Sequence, residues 1–166
     1  MNPLGLRGKD VFMAAEKELD RLDREILRLI TVDASLSLSE IAAAVGLTAT
    51  PCWKRIRRME QDGIITARVA VLDPAKVGLP VSVFVAVETS DHSSDWLEKF
   101  ADLIGRTPEI VDAWRMSGEV DYLLHVVVPD IASYDQFYRK LIAAVPLRNV
   151  SSRFSMERMK AAPLPV

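Results

Sequence analysis

Between Asp20 and Ile30 the apolar residues Leu22, Ile26, Leu29 and Ile30 recur at i, i+4, i+7 and i+8, the spacing that gathers side chains on one face of a helix. A second, shorter helix is predicted behind Ser37, whose hydroxyl can cap the run Leu38 to Val45, with Ile41, Ala42 and Val45 on its inner face. Gly46 tolerates the positive φ at which that helix must stop, and Leu47 can turn inward to hold the corner. A third helix starts near Thr48, and Pro51 is compatible with its first turn because amides there have no intrahelical partner. At about 100° per residue, Cys52, Ile56 and Met59 share one face of it while Thr50, Lys54, Arg57 and Gln61 share the opposite one. The helix closes at Asp62-Gly63, and Ile64 to Leu72 reads as β-branched extended chain, either a wing or a linking strand.

Two prolines and a glycine between Asp73 and Pro80 interrupt both periodicities and mark a hinge over residues 73–80. Beyond it Val81, Val83, Val85 and Val87 alternate as a strand, and Trp96, Phe100, Leu103 and Ile104 mark a helix ending near Thr107-Pro108. Strands over Ile110 to Ser117 and Tyr122 to Val128 follow, joined around Gly118-Glu119. Tyr134, Phe137 and Leu141 mark a further helix closed by Pro146, and Val150 to Met159 is read as a last strand. The order β-α-β-β-α-β is ferredoxin-like, with both helices on one face of an antiparallel sheet. The fold class is therefore α+β, a helical N-terminal unit followed by a ferredoxin-like domain over residues 81–160 and a tail over 161–166. The uncovered sheet face invites pairing with a second copy, so a homo-oligomer built on a dimer is expected.

Composition narrows this picture only a little. The chain has 166 residues, enough for two small cores, and its hydrophobic and charged fractions of 49% and 27% are those of a globular protein. No apolar run approaches the roughly 20 residues of a membrane span, and residues 1–18 have neither the apolar core nor the cleavage site of a signal peptide. Those residues read as a flexible arm, with Met13 as an alternative initiator. The single cysteine, Cys52, makes an internal disulfide impossible, and a cytoplasmic location is the expectation.

The net charge of −2 conceals an uneven distribution. From Thr48 to Arg68 five basic residues stand against two acidic ones, whereas Asp91 to Asp135 holds ten acidic and three basic residues. A basic element joined to an acidic body suggests one face for phosphates and another with a different task.

Residues 38–57 meet the needs of a helix-turn-helix: a first helix of small apolar residues, a Gly-Leu corner, and a basic second helix with an apolar back that can enter the major groove. Double-stranded DNA is accordingly the expected partner. Candidate contacts are Thr48, Thr50, Lys54, Arg55, Arg57 and Arg58, with Arg55 also bordering the apolar side, where it would brace the fold. The competing reading of the same residues is a solvated helix face on a plain helical hairpin. Trp53 flanks the helix and is read as packing, and Cys52 as a core thiol. His92 and His125 have no zinc-ligand spacing with Cys52, and neither a phosphate loop nor a G-x-S-x-G nucleophile motif occurs, so no metal, cofactor or enzymatic activity is expected. Two other function classes remain at this point. One is a regulatory module of a metabolic enzyme without DNA binding; the other is an RNA binder sharing the β-α-β-β-α-β order, although its central strands would lack stacking aromatics.

The blocks Leu22 to Leu27, Leu38 to Ala42, Val45 to Thr48, Arg55 to Glu60, Asp62 to Ile65 and Ser117 to Leu124 resemble the leucine-responsive regulatory protein/AsnC family of prokaryotic transcription regulators, over nearly all of residues 19–160. The segments Thr50 to Arg55, Asp91 to Trp96 and Phe154 to Glu157 are most similar to its cysteine-detoxification branch. The resemblance implies a winged helix-turn-helix over residues 19–72, an amino-acid-binding domain over 81–160, and assembly into dimers, tetramers or octamers. It also implies an effector-contacting turn at Gly118 and Asp121, with Trp114, Met116, Ser151 and Ser152 on strands near the same pocket and L-cysteine as first candidate. Beside it stands the simpler reading, in which Gly118 merely permits a turn and Asp121 caps it.

Overall fold

The structure is a computed structural model and describes residues 18–166; of the arm expected over residues 1–18, all but Glu18 lies outside the described residues. The chain divides into two compact units, one running to Ala70 and including Lys160–Val166, the other spanning Val71–Met159.

The first unit is built on α1 (Arg21–Val32), α2 (Leu38–Ala44) and α3 (Ala49–Gln61). Each of the first two helices opens on a capping box: Asp20 with Asp23, and Ser37 with Glu40, so that two otherwise orphaned amides are satisfied reciprocally. Gly46 takes φ 68° at the end of α2, and the Leu47 amide closes the corner on the Ala42 carbonyl at 2.8 Å. Ile26, Leu27, Ile30, Ile41, Ala42, Val45, Cys52, Ile56 and Met59 form the core. The predicted inner face of α1 is displaced slightly. Leu22 and Leu29 are only partly buried, whereas Leu27 and the carboxylate of Asp23 are buried.

The extended stretch expected from Ile64 to Leu72 forms no strand; Ile64 and Ile65 bend back on the Met59 carbonyl and the remainder has no ladder partner among the described residues. β propensity alone does not make a strand where no neighbouring edge accepts its hydrogen bonds. The hinge holds a short 3₁₀ turn, Ala75–Val77.

The second unit has β1 (Val81–Glu88), α4 (Ser94–Arg106), β2 (Ile110–Arg115), β3 (Tyr122–Val128), α5 (Ile131–Ala144) and β4 (Asn149–Phe154), in the antiparallel order β2-β3-β1-β4. This is the expected β-α-β-β-α-β arrangement. Val83, Val85 and Val87 of β1 and Tyr122, Leu124, Val126 and Val128 of β3 meet Trp96, Phe100, Tyr134, Phe137 and Leu141 in one core, so both helices cover the same sheet face. Two strands are shorter than the pattern predicts. β2 stops at Arg115 after a bulge near Ile110 and Asp112, and β4 stops at Phe154, after which only the Ser155 amide still reaches β1, at the Ser82 carbonyl.

Candidate nucleic-acid interface and open sheet face

α3 exposes one face because Cys52, Ile56 and Met59 anchor the other against α1 and α2. Thr48 is its N-cap residue, yet its hydroxyl makes no cap hydrogen bond, and both Thr48 and Thr50 are exposed. Lys54 is exposed and pairs with no carboxylate among the described residues. Arg57 pairs with Glu60 at 3.0 Å and lies 6.0 Å from the centre of the half-exposed Trp53 ring.

The other two arginines are differently placed. Arg55 donates to Asp20 at 2.5 Å and to Asp23 at 2.9 Å, and Arg58 donates to the second Asp23 oxygen. The Asp23 side chain is fully buried while that of Arg58 remains 48% exposed. Hydrogen bonds from the Asp23 amide and from Arg55 hold the Asp20 carboxyl below the usual carboxylate range, and the bonds of Arg55 to the Asp20 and Asp23 carboxylates raise the guanidinium. Burial pushes the Cys52 thiol up, against the pull of Arg55, as suits a packed and unreactive sulfur. Asp23 escapes sequence reading that counts apolar positions only. A visible signal was present nonetheless: an aspartate three, four and seven residues before Ile26, Leu27 and Ile30 sits on the inward face, where a carboxylate needs cationic partners.

The candidate effector residues are not gathered into one pocket. Gly118 adopts φ 112° in the loop between β2 and β3, a conformation that favours glycine. Asp121 accepts the Thr89 amide on Oδ2 at 2.8 Å, while its own backbone accepts from Met116 and donates to Val87, tying the start of β3 to the end of β1. Ser151 and Ser152 are adjacent on a strand and so point to opposite faces. Ser152 shares a hydrogen bond with the Tyr134 hydroxyl on the helix side, leaving Ser151 on the open side, opposite Ala86. Trp114 lies on the open face and Met116 is exposed just past β2.

The open face carries a cleft of about 660 Å³, walled by Phe84, Val111, Trp114 and Val127 and by Leu72, Val77 and Leu79 of the hinge. Near its centre His125 stacks on Phe84 at 4.7 Å and shares a 2.7 Å hydrogen bond with Ser82. Burial pulls His125 below the ordinary imidazole range, Asp112 at 3.9 Å opposes this, and Arg158 adds to it. Ser82, His125 and Asp112 do not make a catalytic set, because 3.9 Å is too long for the hydrogen bond that would orient the ring. Among the described residues no cluster of His, Cys, Asp or Glu could hold a metal ion, and no helix is long and apolar enough to cross a membrane.

Comparison with known proteins identifies both units. A winged helix-turn-helix DNA-binding family matches residues 19–66, and the Lrp/AsnC ligand binding domain family matches residues 82–165. The DNA-binding transcriptional activator DecR of Escherichia coli (strain K12) is 48% identical over 143 residues, 86% of this chain and 94% of the relative. An AsnC family transcriptional regulator from Agrobacterium tumefaciens superposes with a TM-score of 0.81 at 53% identity, covering 87% of this chain and 94% of that one. A transcriptional regulator from Neisseria meningitidis in complex with L-Met superposes at 0.82 with 27% identity and the same coverage.

Proposed function

The chain belongs to the Lrp/AsnC family of DNA-binding transcriptional regulators, and from that premise we propose that its operator is read by the exposed face of α3, with Thr48, Thr50, Lys54 and Arg57 as the direct contacts. Like its relatives it is a regulator and not an enzyme. The observation that carries the contact assignment is the basic outward face of α3 on a helix whose back is fully packed. Lys54 and Arg57 are suited to phosphates or guanine edges, and the two threonines to neutral hydrogen bonds at the helix start. Arg55 and Arg58 have a different part, taken up below. Anisotropy titrations with an operator-length duplex, at several salt concentrations, test the reading. Affinity should fall steeply with salt, by about 0.9 log unit per log unit for each neutralised phosphate. Absence of duplex binding at low salt would contradict it.

The second unit is an amino-acid-binding domain by family. We take its effector to be L-cysteine, on the strength of the segments Thr50 to Arg55, Asp91 to Trp96 and Phe154 to Glu157, which resemble the cysteine-detoxification branch. The Neisseria regulator, held with L-Met, supports a sulfur-containing amino acid. The loop at Gly118 can offer backbone amides to a carboxylate, and Asp121 has Oδ1 left for an ammonium while Oδ2 holds Thr89. Trp114, Met116 and Ser151 are further candidates for the pocket wall; Ser152, engaged by Tyr134, is the weakest member of the set. Asp121→Asn separates these roles, since its amide oxygen can still accept from Thr89 while its NH₂ cannot hold an ammonium. Calorimetry should show L-cysteine binding to the parent and at least about tenfold weaker binding to Asp121→Asn, the loss of one charge-assisted hydrogen bond. Undiminished binding would move the site elsewhere. To regulate, the ligand must favour one DNA-binding state over the other, and a coupling of about 1–3 kcal/mol would change operator affinity by roughly five- to 150-fold.

Assembly completes the proposal. The open sheet face, with exposed Val111 and Trp114, is suited to a second copy, giving a dimer as building block for tetramers or octamers. A chromosomal operator makes the cytoplasm the place of action.

A further inference from the structure

The α3 arginines divide into two groups according to whether α1 claims them. Successive positions on α3 are about 100° apart, so Lys54 and Arg58, four residues apart, lie on nearly the same side, with Arg57 adjacent. By position alone Arg58 is a third cation for the DNA. Its guanidinium is instead bound to the Asp23 carboxylate, which also accepts from Arg55 and from the Asp20 amide at 3.1 Å. Two of the three donors come from α3 and one from the N-cap of α1, and together they engage both oxygens of a carboxylate with no solvent exposure. A buried carboxylate is costly to leave without its partners, so this contact acts with the apolar core beneath α3 in fixing the rotation of the helix about its own axis.

Resting on the reading of α3 as the DNA-reading helix, we propose that Asp23 is a positioning residue for DNA recognition: it withholds Arg58 from phosphate and sets which side chains of α3 reach the bases. Asp20 shares the task through Arg55. With the carboxylate in place, Lys54 and Arg57, the latter paired with Glu60 on its own helix, are the cations that α3 offers to DNA. Neutralising it releases Arg58, which adds a phosphate contact carrying no sequence information and loosens the register of α3.

The test uses the full chain and two duplexes, one selected by the parent from a random library and one of scrambled sequence. Asp23→Asn keeps an acceptor for the helix cap but removes the charge. It should bind the scrambled duplex more tightly, with the slope of log K against log salt steeper by about 0.9. Its preference for the selected duplex should fall by at least about tenfold, as for one lost base readout. A parallel loss on both duplexes with an unchanged slope would mean that Asp23 only stabilises the fold, and would overturn the inference alone. Arg58→Gln, which leaves Asp23 paired with Arg55, gives an independent reading. Weaker binding to the selected duplex with an unchanged salt slope is expected, and a slope shallower by about 0.9 would show Arg58 on a phosphate and overturn it too. If the parent binds neither duplex, the reading of α3 fails and this inference with it.

Discussion

At the scale of single residues, His125 gives the fold a pH dependence whose sign follows from its surroundings. The ring is pulled below the ordinary imidazole range chiefly by burial in the cleft, further by Arg158, and against the opposition of Asp112. Phe84 and Ser82, its other neighbours, carry no charge. The unfolded chain therefore binds this proton more readily than the folded one, so the stability due to His125 is complete above about pH 6.5 and declines as the pH falls below it. Urea unfolding at pH 7.5 and 5.5 should show a lower midpoint at the acid value, and His125→Phe, which retains a ring to stack on Phe84, should reduce the difference. An undiminished difference would assign it to other groups. The lowered carboxyls of Asp20, Asp33, Glu40, Asp91 and Asp130 act in a separate window, losing their contribution as the pH falls from about 4 downward. Residue-level roles were also where sequence reading was weakest. Arg55 and Arg58 are expected as DNA contacts, Arg55 also as a brace of the fold, and their ion pairs are not legible locally because Asp20 and Asp23 lie more than thirty positions earlier in the chain. Ser151 and Ser152 are both expected near one pocket, yet the period of two in a strand sends Ser152 to Tyr134 and Ser151 to the open face.

At the scale of elements the sequence was far more legible. Local signals decide local structure: the caps Asp20 and Ser37, the Gly46 stop and the apolar spacing of α3 each act within one or two turns and all were readable. What was misread depended on partners. Residues 64–72 have strand-forming side chains but pair with no edge among the described residues, and β4 ends at Phe154, opposite Val83, although β1 continues to Val81. The turn between α2 and α3 allows a quantitative check. A Cβ at Gly46 would meet no atom within 4 Å, so Gly46→Ala pays only for the left-handed backbone, about 1–2 kcal/mol. Denaturant unfolding should show that loss; a neutral substitution would mean that the corner adapts. By contrast, truncating Ile41, buried beneath α3, should cost about 2–5 kcal/mol in the same measurement.

At the scale of the whole molecule, the two units carry opposite charge, and we assign them separate tasks, a basic helix for DNA and an acidic ferredoxin-like domain for effector and assembly. Sedimentation should find the parent at least dimeric at micromolar concentration. Trp114→Glu, which puts a charge on the open face, should shift it toward monomer without loss of fold, and an unchanged oligomer would place the interface elsewhere. The central claim remains that α3 reads DNA through its outward face. Its most direct measurement is the salt dependence of duplex binding by Lys54→Ala and Arg57→Ala, both exposed and both expected to leave the helical circular dichroism unchanged. Each should weaken binding and reduce the slope of log K against log salt by about 0.9 if its contact is to a phosphate, whereas a base-edge contact should instead cost about 1–3 kcal/mol on the selected sequence. If both variants bind like the parent at every salt concentration while remaining folded, α3 is not the helix that reads DNA.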